Sequence, residues 1–181
     1  MSPDVAPATG RSRRRAPVGA VLADRLDDAA VVDAAVRLAA ARGAPLLLIA
    51  VLPPLPPRAA ARSDGVATRV VLGRALSRVG RSGVDHRPAA YHRPAGRAGR
   101  LDAAKGLLDV AVAHRCPLLV VSRTGPAGLD AGTVMEAAAI RGGPLVHAAP
   151  PVTWAPLAAP AGRFGGAGGG PFRPVSGAAP E

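Results

Sequence analysis

Cysteine is nearly missing from this chain, and so are aromatic residues, lysine and long apolar runs. Cys116 stands alone, so no disulfide forms within the chain, and there is neither a CxxC redox pair nor a zinc-ligand spacing. Aromatic residues make up 2% of the sequence, which leaves Ala, Val and Leu to build the core. Of 23 basic residues only Lys105 is lysine, an Arg and Ala bias that a GC-rich coding sequence explains more simply than a function does. The longest apolar run, Leu46 to Leu52, falls far short of the roughly 20 residues a membrane span needs. Arg11 and Arg13 to Arg15 are charged as a signal's first region is, but no apolar h-region is read before Asp24, which argues against a secretory signal. The expectation is a cytoplasmic protein with no membrane partner.

What is present suits one domain. The chain has 181 residues, 49% of them hydrophobic, enough for a single core. Its 20 prolines and 22 glycines gather towards the ends. Residues 1–16 are polar and basic and read as a disordered tail. Residues 151–181 hold six prolines from Pro151 to Pro180 and a glycine-rich stretch, Gly165 to Gly170. Such a segment buries too little apolar surface to offset its ordering entropy. The folded domain is therefore expected over residues 17–150.

Within it, short apolar runs alternate with helical patterns. Val18 to Ala23 reads as a buried strand, and Asp27 or Asp28 as an N-cap. A helix follows with Val32, Ala35, Val36 and Ala39 on one face and a stop at Gly43. Pro45 to Leu52 is a continuous apolar strand, as in parallel sheets covered on both faces. A second helix is expected over Val66 to Val79, and an edge strand carrying Pro88 over Val84 to Tyr91. A third helix spans Leu101 to His114, then a strand Pro117 to Ser122, a helix Val134 to Arg141 and a last strand Pro144 to Ala148. Alternation of this kind predicts an α/β fold: a doubly wound five-stranded parallel sheet with helices on both faces. Ligands of such sheets sit beyond the carboxyl ends of the strands, at the switch point.

The second half of this pattern carries a resemblance. Gly83-Val84 opens the third strand, and His114-Arg115-Cys116 leads into Leu118 to Val121. Ser122-Arg123-Thr124-Gly125, Gly132-Thr133-Val134 and Gly143-Pro144-Leu145-Val146 follow. In this the chain resembles the universal stress protein family, over about residues 17–149. The resemblance implies a Rossmann-like fold similar to adenine nucleotide alpha hydrolases, a stress-response or regulatory role, and a homodimer paired through the last strand. In nucleotide-binding members the loop after the fourth strand reads G-x-x-G, nine residues, then G and Ser or Thr. Here Ser122 stands in place of the first glycine, and six residues, Pro126 to Ala131, separate Gly125 from Gly132. The ligand-binding set implied for this chain is Asp24, Val51, Ser122, Gly125, Gly128, Gly132 and Thr133, with ATP or AMP as the candidate cofactor.

Each residue also has a bland reading. Thr133 and Glu136 form T-x-x-E, a capping box that needs no ligand. Asp24, Asp27 and Asp28 can serve as caps, and the loop glycines as turn residues. His86, His92, His114 and His147 lack metal-ligand spacing, and no G-x-S-x-G marks a nucleophile. Catalysis is not expected. Two other readings stay open: a nucleotide-hydrolysing or nucleotide-transferring enzyme using Asp24 or Asp130, and a basic nucleic-acid-associated protein using Arg11 and Arg13 to Arg15. The formal charge is +11, yet a solvated arginine face explains Arg93, Arg97 and Arg100 as well as a phosphate contact does, and nucleic acid is not expected as a partner.

Overall fold

The computed structural model describes residues 15–54, 64–96 and 99–152. Both expected tails, except Arg15, Ala16, Pro151 and Val152, lie outside the described residues, as does Arg97. Nine elements alternate: β1 (Val18–Leu22), α1 (Asp28–Arg42), β2 (Leu46–Leu52), α2 (Asp64–Ser82), β3 (His86–His92), α3 (Asp102–Ala113), β4 (Leu118–Val121), α4 (Ala131–Arg141) and β5 (Leu145–Ala148). The five strands form one parallel sheet in the order β3-β2-β1-β4-β5.

The sheet is covered on both faces, which is why its central strands are apolar throughout. Val18, Ala20 and Leu22 point to one face with Leu46, Leu48, Ala50 and Leu52, against α1 and α2. Val21, Leu47, Ile49, Leu119 and Val121 point to the other, against α3 and α4. Gly19 belongs to this second face: a Cβ there would lie 2.5 Å from Leu119 Cδ2 and 2.9 Å from Cys116 Sγ. The glycine leaves room for those two side chains beneath the central strand. Pro88 sits on β3, which pairs only with β2, so its missing N–H interrupts no ladder. Pro45 and Pro117 fall just before their strands, where their carbonyls accept from Val18 N–H (3.0 Å) and Leu145 N–H (2.9 Å).

The expected boundaries shift at two places for a physical reason. α4 begins at Ala131 rather than Val134, because Asp130 is its N-cap. The Asp130 carboxylate accepts from Thr133 N–H (3.0 Å) and from Thr133 Oγ1 (2.7 Å). The expected capping box of Thr133 with Glu136 is therefore not formed, and Glu136 pairs with Arg100 instead. At α1, Asp27 occupies the N-cap position but its side chain makes no cap bond. α2 runs through Gly73 to Ser82, since an exposed glycine with open space around it weakens a helix without stopping it.

Candidate functional site

β1 and β4 are neighbours, yet the helices that follow them lie on opposite faces of the sheet. Their carboxyl ends therefore open a crevice at the switch point. Beyond β1 the chain turns sharply: Asp24 takes a left-handed conformation with φ 55°. The Asp28 carboxylate closes this turn by accepting from Ala23 N–H at 3.1 Å and Arg25 N–H at 3.1 Å. That leaves Asp27 free to reach across to β4. Its carboxylate accepts hydrogen bonds from Ser122 Oγ and from Thr124 Oγ1 (2.9 Å), and Arg25 lies 3.4 Å away. Burial pulls the Asp27 carboxyl upward, but the two hydroxyls and Arg25 outweigh it, so Asp27 titrates below the usual range. Asp28 is shifted up, by burial first and by the charge of Asp27 in addition, against the amides it accepts from.

An open cleft of ≈ 610 Å³ lies over this cluster. Asp24, Asp27, Ser122 and Thr124 line its polar wall, Arg25, Arg74 and Arg123 its basic one, and Leu26 and Pro150 to Val152 its apolar one. The segment after β5 is pinned there, with Ala149 N–H donating to the Val121 carbonyl (2.8 Å) and Arg123 Nε to the Ala149 carbonyl (3.2 Å). Arg74 stands 3.7 Å from Asp24. A cleft of this size, with apolar walls and a few polar groups, suits a small-molecule ligand.

The β4–α4 loop forms one flank, and part of its hydrogen bonding is internal. Thr124 N–H donates to Ser122 Oγ (3.0 Å), Leu129 N–H to the Pro126 carbonyl (2.7 Å), Ala131 N–H to the Ser122 carbonyl (2.9 Å) and Thr133 N–H to Asp130. Gly125 is required by the loop's own packing, since a Cβ would lie 2.4 Å from the Leu129 carbonyl oxygen. Gly128 has φ +79° and sits against the Arg100 carbonyl. Gly132 is different: a Cβ there would meet only Asp130 Oδ1, at 3.3 Å. Hydrogen bonds from the Thr133 amide come first in holding the Asp130 carboxyl below its ordinary range, with Thr133 Oγ1 and Arg100 adding to them against burial. An ionised carboxylate thus occupies the α4 N-terminus, where an anion would otherwise dock.

This bears on a nucleotide. The amides of Thr124, Leu129, Ala131 and Thr133 are used within the loop, whereas those of Gly125, Ala127, Gly128 and Gly132 have no acceptor among the described residues. What opposes a triphosphate here is the Asp130 carboxylate at the α4 N-terminus.

Of the residues expected to bind, Asp24 and Ser122 line the cleft together. Gly125, Gly128, Gly132 and Thr133 lie along the flanking loop and α4, outside the lining. Val51 is buried near the end of β2 with its side chain in the second core face. Asp27 was read as a cap; its partners Ser122 and Thr124 lie 95 and 97 residues away. No local pattern signals such a contact. Arg93 Nη2 reaches the Ala127 carbonyl at 3.5 Å and Arg100 pairs with Glu136, so both brace the loop. Cys116 is buried, and burial pushes its thiol up to about 11, which keeps it protonated at neutral pH and no nucleophile. Among the described residues no group of three or more His, Cys, Asp or Glu is placed to hold a metal ion, and no helix is long and apolar enough to cross a membrane.

No protein-family model matches the chain. No curated protein matches it either. Solved structures do. A protein of the universal stress protein family from Burkholderia pseudomallei aligns with TM-score 0.54 at 22% identity, covering 77% of this chain and 98% of that one. The universal stress protein from Archaeoglobus fulgidus in complex with dAMP aligns with TM-score 0.54 at 18% identity, covering 76% of this chain and 99% of that one. A universal stress protein in complex with cAMP aligns with TM-score 0.50 at 19% identity, over 73% of this chain and 95% of that one. At these identities the likeness is one of fold: the chain has the universal stress protein fold.

Proposed function

We propose that this chain, on its universal stress protein fold, is a non-catalytic regulatory domain whose switch-point cleft takes an adenine nucleotide with a single phosphate in preference to a triphosphate. The observation that carries the reading is the N-terminus of α4, which the Asp130 carboxylate already occupies as N-cap by accepting from Thr133 N–H. The dAMP and cAMP held by two solved proteins of this fold each carry one phosphate, which supports it. The non-catalytic part rests on Asp27 and Asp130. Both are hydrogen-bonded and shifted down, so neither is basic enough to activate a hydrolytic water efficiently near neutral pH. Calorimetry with AMP, ATP, adenosine and phosphate tests this. AMP is expected to bind at least as tightly as ATP, and no product should accumulate from ATP. ATP bound more than about tenfold tighter than AMP, a difference of about 1.4 kcal/mol, sinks the reading.

Homodimerisation through β5 is proposed on a separate observation. β5 is an edge strand, and Leu145 on it is 72% exposed. Val146, by contrast, packs on the second core face, so a charge there would damage the domain itself. Leu145→Lys is the cleaner variant: it should shift sedimentation from dimer to monomer with the melting of the domain retained. A parent chain that sediments as a monomer at high concentration removes the idea.

A further inference from the structure

All five strands are parallel, so every strand starts and every helix ends at one end of the sheet. The two ends differ in charge. Around the cleft end, Asp24, Asp27, Asp28, Asp102 and Asp130 offset Arg25, Arg74, Arg93, Arg100 and Arg123. At the opposite end, the segments leading into the strands (15–17, 42–45, 81–85, 113–117 and 141–144) contain Arg15, Arg42, Arg81, Arg115 and Arg141, with Asp85 as their one carboxylate. Arg141 is turned to Asp109 on α3, at 2.8 Å. Arg87, at the start of β3, adds to the cluster. Among the described residues Arg42, Arg81 and Arg115 make no ion pair and no side-chain hydrogen bond.

Helix-end electrostatics account for part of this. Arg42 and Arg81 stand in the last turns of α1 and α2, where a cation complements the dipole. Arg15, Arg87 and Arg115 stand in no last turn. Arg115 is the most informative. α1, α2 and α4 are followed by glycines in the left-handed region: Gly43 (φ 56°), Gly83 (φ 68°) and Gly142 (φ 67°). After α3 that conformation falls on Arg115, with φ 52°. Its turn closes through Arg115 N–H to the Val112 carbonyl (2.8 Å) and Cys116 N–H to the Ala111 carbonyl (2.8 Å). A side chain in this region strains the backbone, and the exposed guanidinium makes no contact within the domain that offsets it. Arg15 and Arg87 are held in place by helix-end carbonyls: Arg15 Nη1 donates to the Arg42 carbonyl and Arg87 Nη2 to that of His114 (3.0 Å). Their other N–H donors remain for a ligand.

We propose that this end of the sheet binds the phosphate backbone of double-stranded nucleic acid without reading its sequence. Guanidinium forks match phosphate oxygens, and arginine supplies the whole cluster. The arginines spread under β3, β2, β1 and β4, adjacent strands about 4.8 Å apart, and under the helices on both faces. Single strands are gripped by stacking on aromatic side chains; Tyr91 is the one Phe, Tyr or Trp among the described residues, and it is buried. A membrane surface is gripped by apolar side chains interleaved with basic ones; the exposed Val112 and Leu145 share a groove with Arg115 but with none of Arg15, Arg42, Arg81 and Arg87. A solvated arginine face explains the arginines of the sequence without a nucleic acid; the segregation of charge between the two ends points towards one.

The test uses the full chain and a short DNA duplex of arbitrary sequence, with affinity measured across salt concentrations. Each phosphate neutralised contributes about −0.9 to the slope of log K against log salt. Arg42→Gln/Arg81→Gln/Arg115→Gln should reduce the slope by about 2.7, while Arg69→Gln/Arg93→Gln/Arg100→Gln, the same charge change towards the cleft end, should alter it by less than about 1. Arg115→Gly alone should raise the melting temperature and still weaken duplex binding. A higher melting temperature with unchanged duplex affinity overturns the proposal, as does a triple variant that behaves like its control. Retention on phosphatidylserine vesicles without retention of the duplex overturns it too, and so does retention of neither.

Discussion

Gly19→Val should unfold the domain about 3 kcal/mol more easily than the parent, at the upper end of what forced overpacking costs. Gly19 lies in the middle of the sheet, on a strand paired on both sides. Its missing Cβ is the space into which Leu119 Cδ2 and Cys116 Sγ project, at 2.5 Å and 2.9 Å from where a Cβ would stand. Neither neighbour can retreat: Leu119 is fully buried, and Cys116 is held by the Pro17 and Leu118 carbonyls, at 3.4 Å and 3.1 Å. Valine's favourable strand propensity spans about 1 kcal/mol and does not offset the clash. Gly73→Ala supplies the contrast. Gly73 lies on the exposed side of α2 with nothing within 4 Å of a built Cβ, so this change should stabilise by about 0.8–1.0 kcal/mol. Urea denaturation of the two variants and the parent decides the matter. If Gly19→Val melts with the parent, the account of the central core is wrong.

The contrast between those two glycines shows where sequence reading reaches its limit. Both look alike on the page, one in an apolar run and one in a helical pattern. What separates them is a side chain from β4, about a hundred residues away. The fold itself was legible because the signals that specify it are local. Leu46 to Leu52 is apolar at every position, as a strand covered on two faces must be, and Gly43 marks the end of α1 by its left-handed turn. The location of the cleft followed from element order through the switch-point rule. Its chemistry did not follow. Asp27 reads locally as a cap, and only the pairing of β1 with β4 brings Ser122 and Thr124 to it. At α4 a local signal existed and was outweighed: Asp130-x-x-Thr133 competes with Thr133-x-x-Glu136, and the stretch between Gly125 and Gly132 was read as a loop. An aspartate is as good an N-cap as a serine and better than a threonine, so the helix starts three residues early.

That early start leads to the second large effect. Asp130→Asn should strengthen ATP binding by about tenfold to a hundredfold while leaving the domain folded. Asparagine caps a helix about as well as aspartate, so Thr133 N–H keeps an acceptor and the stability loss stays within about 1 kcal/mol, the dipole contribution of the lost charge. The gain comes from removing an anion. Two like charges 4 Å apart repel by about 4 kcal/mol at an effective dielectric of 20 and by about 1 kcal/mol in water. Asp130 is half-buried, which places the relief between those limits, or one to two factors of ten in affinity. The substitution should affect AMP less than ATP if the terminal phosphates are what approach α4. Gly132→Ala serves as the companion, because a Cβ there meets only Asp130 Oδ1 and should leave the unliganded domain unharmed. In the Asp130→Asn background it should lower ATP affinity by narrowing the approach to the helix N-terminus. Calorimetry on the four chains gives the answer. ATP affinity unchanged by Asp130→Asn would mean that phosphates, if bound at all, do not use the α4 N-terminus, and that this carboxylate is not what restricts the cleft to smaller ligands.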